Sequence, residues 1–288
     1  MDVAVLGTST TGHALAAWCL RSDAAVRLYG DDANAVMDSV DAVQRRAGRE
    51  DAIDGTTGLE AAVGGADVVF DLTGREIDAR RDLLAEVEAL VAVETLLVVG
   101  DTSDRITAVA AGLRRPGRAL GIHVVDPAES RLVELVVAEQ TTADTRDRAV
   151  SFVESLDTMP IVVRDTPGFA TTRLDLAAIV EAVRMVEEGV ASVTAIDRAL
   201  ELGRDHPIGP LGLADRLGLD TVLSALETLA LELGGRFDPP DLLFEKVEAG
   251  DLGRQTGTGF YEWENGERVG PASPNPTVET RSAEASER

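Results

Sequence analysis

Val3-Ala4-Val5-Leu6-Gly7-Thr8-Ser9-Thr10-Thr11-Gly12 decides how this chain folds. Four apolar residues in a row, unbroken by polar alternation, read as a short strand buried on both faces. They run straight into a glycine turn, and an apolar helical stretch through Leu15, Trp18, Cys19 and Leu20 follows. A strand, a glycine turn and a helix in that order gather backbone N–H groups at a helix N-terminus, which suits a pyrophosphate. The spacing follows G-x-G-x-x-G at Gly7 and Gly12, with Ser9 in the middle glycine's place. The next strand, Ala25-Val26-Arg27-Leu28-Tyr29, should lead to an acidic residue for the adenine ribose of a dinucleotide. Gly30 comes first and Asp31-Asp32 follow, so Asp31 is the candidate, with the register open by one residue. Gly7, Ser9, Gly12 and Asp31 thus form the expected cofactor site. No arginine sits just after that strand to hold a 2′-phosphate, which favours NAD over NADP.

Further on, Ala66-Asp67-Val68-Val69-Phe70-Asp71 reads as a strand, and so does Leu96-Leu97-Val98-Val99, which runs into Gly100-Asp101-Thr102-Ser103. Strands alternate with helical stretches as far as Arg164, as a parallel sheet with crossover helices requires. From Phe169 the pattern turns helical, with apolar residues at Leu176, Ile179, Val180, Val183 and Val186. The expected fold class is α/β: an N-terminal Rossmann-type doubly wound sheet over residues 1–164, then an all-helical C-terminal domain over 165–263. Pro167-Gly168 interrupts the chain at the boundary. Residues 264–288 are rich in Pro, Ser and Glu, and are expected to form a disordered acidic tail.

The chemistry points to Gly121-Ile122-His123-Val124-Val125-Asp126-Pro127 and Leu132-Val133-Glu134. His123 is one of three histidines, at the end of an apolar run, and Glu134 lies eleven residues on in a second such run. Two strands joined by a turn can bring the two side chains together. A carboxylate bonded to an imidazole fixes its tautomer and strengthens it as a general base near neutral pH. A histidine beside apolar residues can equally be a packed core residue, so the neighbouring motifs decide. They are Asp165-Thr166-Pro167-Gly168-Phe169 with Arg173 four residues later, Pro207-Ile208-Gly209-Pro210 leading to Asp215 and Gly218-Leu219-Asp220, and Gly257-Thr258-Gly259-Phe260-Tyr261 with Trp263.

In this order and spacing the motifs resemble those of the 3-hydroxyacyl-CoA dehydrogenase family, and of its 3-hydroxybutyryl-CoA members in particular, over roughly residues 2–263. The resemblance implies NAD-dependent interconversion of 3-hydroxyacyl-CoA and 3-oxoacyl-CoA. It carries the active site onto Ser103, His123, Glu134 and Thr172: His123 as general base, Glu134 orienting it, and Ser103 on the reacting oxygen. It also implies a substrate-binding cation after the Asp67–Asp71 stretch, for which Arg80 is the candidate, and a homodimer formed by the helical domain. Four residues depart from the family pattern: Ser9 for Gly, Asp101 and Asp126 for Asn, and Thr172 for Asn. An Asn-to-Asp change replaces a donor–acceptor amide with an acceptor-only carboxylate. The departures keep two other readings open: a sugar-acid dehydrogenase of the gulonate type, and an NAD-binding relative with impaired catalysis.

Charge tells a separate story. The net charge is −24, with 51 acidic and 27 basic residues, and Lys246 is the only lysine. No basic face is available to neutralise phosphates, which excludes a nucleic-acid partner. One cysteine, Cys19, cannot form an internal disulfide, and no run of apolar residues is long enough to span a bilayer. A soluble, cytoplasmic protein is expected. The three histidines and one cysteine show no metal-ligand spacing. Acidic, lysine-poor surfaces of this kind resemble those of proteins from salt-loving organisms, because molar salt screens the self-repulsion. Raising KCl from about 0.1 M to about 2 M should therefore raise the thermal midpoint by several degrees in circular-dichroism melts. Equal midpoints at the two concentrations would contradict that reading of the charge.

Overall fold

The protein is described by a computed structural model that covers residues 1–49, 53–100, 104–125 and 130–272. The chain forms two compact units, one from Met1 to Ala170 and one from Thr171 onward.

The first unit is built on an eight-stranded sheet. Its strands are β1 (Asp2–Leu6), β2 (Ala25–Tyr29), β3 (Ile53–Thr56), β4 (Val68–Asp71), β5 (Leu96–Val99), β6 (Ala119–Val124), β7 (Leu132–Val137) and β8 (Met159–Arg164). Their spatial order is β3-β2-β1-β4-β5-β6-β7-β8. The first six run parallel; β7 is antiparallel to β6, and β8 is parallel to β7. Six helices connect them: α1 (Thr10–Arg21), α2 (Ala33–Ala47), α3 (Leu59–Val63), α4 (Ile77–Leu90), α5 (Ile106–Ala110) and α6 (Ala143–Ser155).

Strand alternation divides the core in two. Val3 and Val5 of β1 pack with Leu15 of α1, Val43 of α2 and Phe152 of α6 in one cluster. Ala4 and Leu6 pack with Val63 of α3, Leu84 of α4 and Val109 of α5 in the other. The central parallel strands β1, β4 and β5 are buried on both faces and read as nearly continuous apolar runs for that reason. The expected doubly wound sheet is present, and its order reverses between β1 and β4. Such a reversal opens a crevice at the strands' C-terminal ends, where ligands bind in this architecture.

Two of the charged groups that lie fully inside this unit pair with each other. Arg80 on α4 and Asp71 at the end of β4 both have zero exposure, and Arg80 Nη1 lies 3.1 Å from Asp71 Oδ2. Nη1 also donates to the Gly100 carbonyl at 3.0 Å, and Nε to the Arg75 carbonyl at 3.3 Å. Thr73 completes the shell, its hydroxyl donating to Asp71 Oδ1 at 2.7 Å. Arg80 therefore ties the ends of β4 and β5 to the loop before α4. The expectation that it meets substrate is corrected: a guanidinium with no exposure is a structural tie. Cys19 is also fully buried, and burial pushes its thiol up to about 12, so it packs as a small apolar residue.

The second unit comprises α7 (Thr171–Glu187), α8 (Val193–Arg204), α9 (Pro210–Leu217), α10 (Leu219–Leu233) and α11 (Asp241–Ala249). Leu176, Ile179, Val180 and Val183 of α7 enter its core, as their helical spacing predicts. The unit is not all helical. A hairpin of β9 (Tyr261–Glu264) and β10 (Glu267–Pro271) closes it and takes in residues 264–271, where a disordered tail is expected; residues 273–288 lie outside the described residues.

Buried carboxylates hold that hairpin. Asp215 accepts from Phe260 N and Tyr261 N, both at 2.8 Å, and from Trp263 Nε1 at 2.9 Å. Asp197 accepts from Leu211 N, Gly212 N and the Tyr261 hydroxyl, and Arg268 of β10 lies 3.3 Å away. Burial raises the pKa of both carboxyls, against the pull of these donors. A Cβ at Gly259 would stand 2.2 Å from Asp215 Oδ1, so the Gly-Phe-Tyr sequence with its distant Asp is a packing motif. Lys246 also has a structural place, with Nζ donating to the Gly259 carbonyl at 2.6 Å.

Removing one member of a buried ion pair leaves the other uncompensated. Arg80→Ala should cost about 3–5 kcal/mol in urea unfolding, whereas Asp78→Ala on the exposed face of α4 should cost under about 1 kcal/mol. A loss below about 1 kcal/mol for Arg80→Ala would contradict the assigned role.

Candidate active site

The crevice can be built strand by strand. At the end of β1, Gly7 has φ +113°, and an added Cβ would lie 2.4 Å from the Leu72 carbonyl oxygen, so only glycine fits. Ser9 is the N-cap of α1: its hydroxyl oxygen accepts from Gly12 N at 3.1 Å. The departure from glycine at this position is thus used to cap the helix, and the side chain folds back onto its own first turn. Gly7, Ser9 and Gly12 meet at the start of α1, as the sequence spacing predicts.

On one side of that point lies the end of β2. Asp31 follows it after Gly30, while Asp32 is the N-cap of α2 and accepts from Ala35 N at 2.8 Å. Asp32 is engaged by its helix, whereas Asp31 lines a cavity of about 530 Å³. Tyr29, Thr57, Leu59, Arg75 and Asp82 share that cavity. Asp31 is not alone there. Arg75 Nη2 donates to its Oδ2 at 2.7 Å and its Oδ1 at 3.0 Å, and the Tyr29 hydroxyl donates to Oδ1 at 3.0 Å. The hydrogen bonds from Tyr29 and Arg75 hold the Asp31 carboxyl below its usual pKa. No arginine follows β2 in sequence, and the one that reaches this end, Arg75, comes from the loop after β4, 44 residues on.

On the other side lie the ends of β5 and β6. A cavity of about 250 Å³ is lined by Thr11, Gly100, Ile106, Ile122, His123, Val124 and Phe169. It therefore spans from the first turn of α1 to His123. His123 on β6 is directly opposite Glu134 on β7 in the antiparallel register. Directly opposed residues project to the same face, so the pair meets: Nε2 to Glu134 Oε2 is 3.9 Å, longer than a hydrogen bond and within ion-pair reach. The Glu134 side chain has zero exposure and that of His123 is 36% exposed. Glu134 Oε1 also accepts from Ala170 N at 2.9 Å. The preceding turn brings the Phe169 ring to 5.9 Å from the imidazole, with Phe169 itself at φ +46°. The role of this turn in framing the imidazole was not read from the sequence, although Pro167-Gly168-Phe169 marked its place.

Thr172 lies on the first turn of α7 in the second unit. Ser103, Asp101 and Asp126 lie outside the described residues. Among the described residues no cluster of His, Cys, Asp and Glu could hold a metal, and no helix is long and apolar enough to cross a membrane.

Comparison with known proteins agrees with this layout. Residues 2–166 match the model of the 3-hydroxyacyl-CoA dehydrogenase NAD binding domain, and residues 168–263 that of the 3-hydroxyacyl-CoA dehydrogenase C-terminal domain. The chain belongs to the 3-hydroxyacyl-CoA dehydrogenase family. It is 37% identical over 201 residues to a probable 3-hydroxybutyryl-CoA dehydrogenase of Bacillus subtilis, covering 69% of this chain and 70% of the relative. It is 38% identical over 205 residues to a 3-hydroxybutyryl-CoA dehydrogenase of Bradyrhizobium diazoefficiens, covering 70% of each. Among solved structures, the (S)-3-hydroxybutyryl-CoA dehydrogenase of Ralstonia eutropha superposes with a TM-score of 0.85 at 31% identity, over 92% of this chain and 99% of that one.

The dinucleotide implied by the family fits these residues. Along the sheet edge, Asp31, Gly7, Gly100 and His123 stand at the ends of β2, β1, β5 and β6, with a cavity at each extreme. Four inter-strand steps of ~4.8 Å separate β2 from β6, giving about 19 Å for an extended dinucleotide to follow.

Proposed function

We propose that the protein is an NAD-dependent dehydrogenase acting on a short 3-hydroxyacyl-CoA, with His123 as general base and Glu134 as the residue that orients it. The observation that carries this reading is His123, backed by a buried carboxylate and facing the cavity that Thr11 of α1 also lines. Gly7, Ser9 and Gly12 place the start of α1 against the cofactor pyrophosphate, and Asp31 receives the adenine ribose. When bound, the nicotinamide supplies the acceptor or donor of hydride.

The protein's own part is proton transfer and position. The imidazole nitrogen turned away from Glu134 takes the hydroxyl proton as the C–H bond at the same carbon breaks, or returns it in the reverse direction. Glu134 stabilises the imidazolium that forms, and Ala170 N–H keeps the carboxylate aimed at the ring. Phe169 lines the same cavity, with its ring 5.9 Å from the imidazole. Ser103 binds the substrate oxygen and so holds the reacting carbon in line. Thr172, on the first turn of α7, is the fourth residue that the family resemblance assigns to the reaction. A homodimer forms through the helical unit, where Leu174, Leu202 and Leu231 are exposed.

The test is NADH oxidation with acetoacetyl-CoA at molar KCl. Wild type should turn over, and His123→Ala should lose about 10²–10⁴-fold in kcat while its NADH dissociation constant stays as in wild type. A folded, NADH-binding wild type that does not turn over acetoacetyl-CoA would overturn the substrate assignment.

A further inference from the structure

Asp31 and Arg75 stand together at the place where dinucleotide-binding sheets choose between a ribose hydroxyl and a 2′-phosphate. The two side chains answer to opposite chemistries. A carboxylate only accepts hydrogen bonds, so it suits the 2′-hydroxyl and repels a phosphate. A guanidinium only donates, in a fork that fits a phosphate with two parallel bonds. Sheets of this kind usually present one or the other, whereas here both face the same cavity of about 530 Å³.

Arg75 is held in place from behind. Its carbonyl accepts from Nε of the buried Arg80, which is itself fixed on Asp71 and Gly100. The loop that carries Arg75 is thus anchored to the core, and its side chain reaches across to Asp31. Its contact with Asp31 is by contrast a surface one, with side chains 30% and 73% exposed, the kind of pair that dissolves at little cost. The other charges lining the cavity, Asp82 and Glu86, are both acidic, so Asp31 is one of three carboxylates set against a single guanidinium.

We infer that Arg75 is a latent ligand for the 2′-phosphate of a phosphorylated dinucleotide, and that Asp31 keeps it engaged and so makes the protein selective for the unphosphorylated form. This rests on the reading of Asp31 as the adenine-ribose ligand. Dinucleotide choice is then set by one carboxylate, because the second arm of the alternative site is already in position.

The experiment is a fluorescence titration of NADH and NADPH binding to the full chain at fixed molar KCl. It compares wild type, Asp31→Asn, Arg75→Ala and the double variant. Asp31→Asn should weaken NADH about tenfold and tighten NADPH about tenfold, each the worth of one charge-assisted hydrogen bond. Adding Arg75→Ala to Asp31→Asn should remove the NADPH gain and leave the NADH constant near that of Asp31→Asn. Arg75→Lys in the same background should keep part of the gain, since a point charge replaces the fork. An NADPH gain that survives Arg75→Ala would overturn the role of Arg75 while leaving the ribose placement intact. An Asp31→Asn protein whose NADH and NADPH constants both match wild type would show instead that the ribose does not sit at Asp31. Asp31 is exposed and Arg75 partly so, and all five proteins should share the wild-type melting profile.

Discussion

A carboxylate with no exposure has to be met by donors or opposite charge, and the site of this protein is arranged around that constraint at Glu134. Glu134 lies on β7, covered on either side by β6 and β8. Its partners include His123 directly across the antiparallel ladder and Ala170 N–H from the turn that follows β8. A slip of one residue between β6 and β7 would send His123 to the opposite face, among Leu120, Ile122 and Val124. It would also strand the carboxylate. The single antiparallel pairing in an otherwise parallel run is therefore what brings His123 and Glu134 to one point.

Arg80 does for the strand ends what Glu134 does for the base. Its guanidinium has no water to meet, so it collects the Asp71 carboxylate and the carbonyls of Gly100 and Arg75. Gly100 lines the cavity beside His123, and Arg75 lines the cavity beside Asp31. One buried cation thus sets backbone positions at both extremes of the crevice. This explains how a chain with few basic residues uses one of them where no ligand can reach it.

Much of this was legible in the residues, and the parts that were not share a cause. The β1 run, the Gly7 turn and the start of α1 follow from local pattern, because a parallel strand and a glycine turn are short-range features. The meeting of His123 and Glu134 was also readable, since two apolar runs with a turn between them make a hairpin. Arg75 beside Asp31 was not, because the two are 44 residues apart and meet only when β4 takes its place next to β1. Arg80 was misread for a related reason: an arginine on a polar-looking helix gives no sign that its face is buried until the neighbouring strands are placed. Asp215 shows the converse, a motif residue whose signal was clear and whose role is to hold a hairpin. The β9–β10 hairpin lies partly within the stretch from 264 whose polar composition suggests a tail, although Asn265-Gly266 is a strong turn signal.

In the proposed function His123 and Glu134 act as one unit on the proton. A double-mutant cycle on kcat tests it directly, comparing wild type, His123→Ala, Glu134→Ala and the double variant in the reduction of acetoacetyl-CoA. Residues that act as a unit lose their effect together, so the double variant should match the slower single variant within about threefold. Losses that multiply, or a Glu134→Ala protein that is less stable yet turns over like wild type, would contradict the claim.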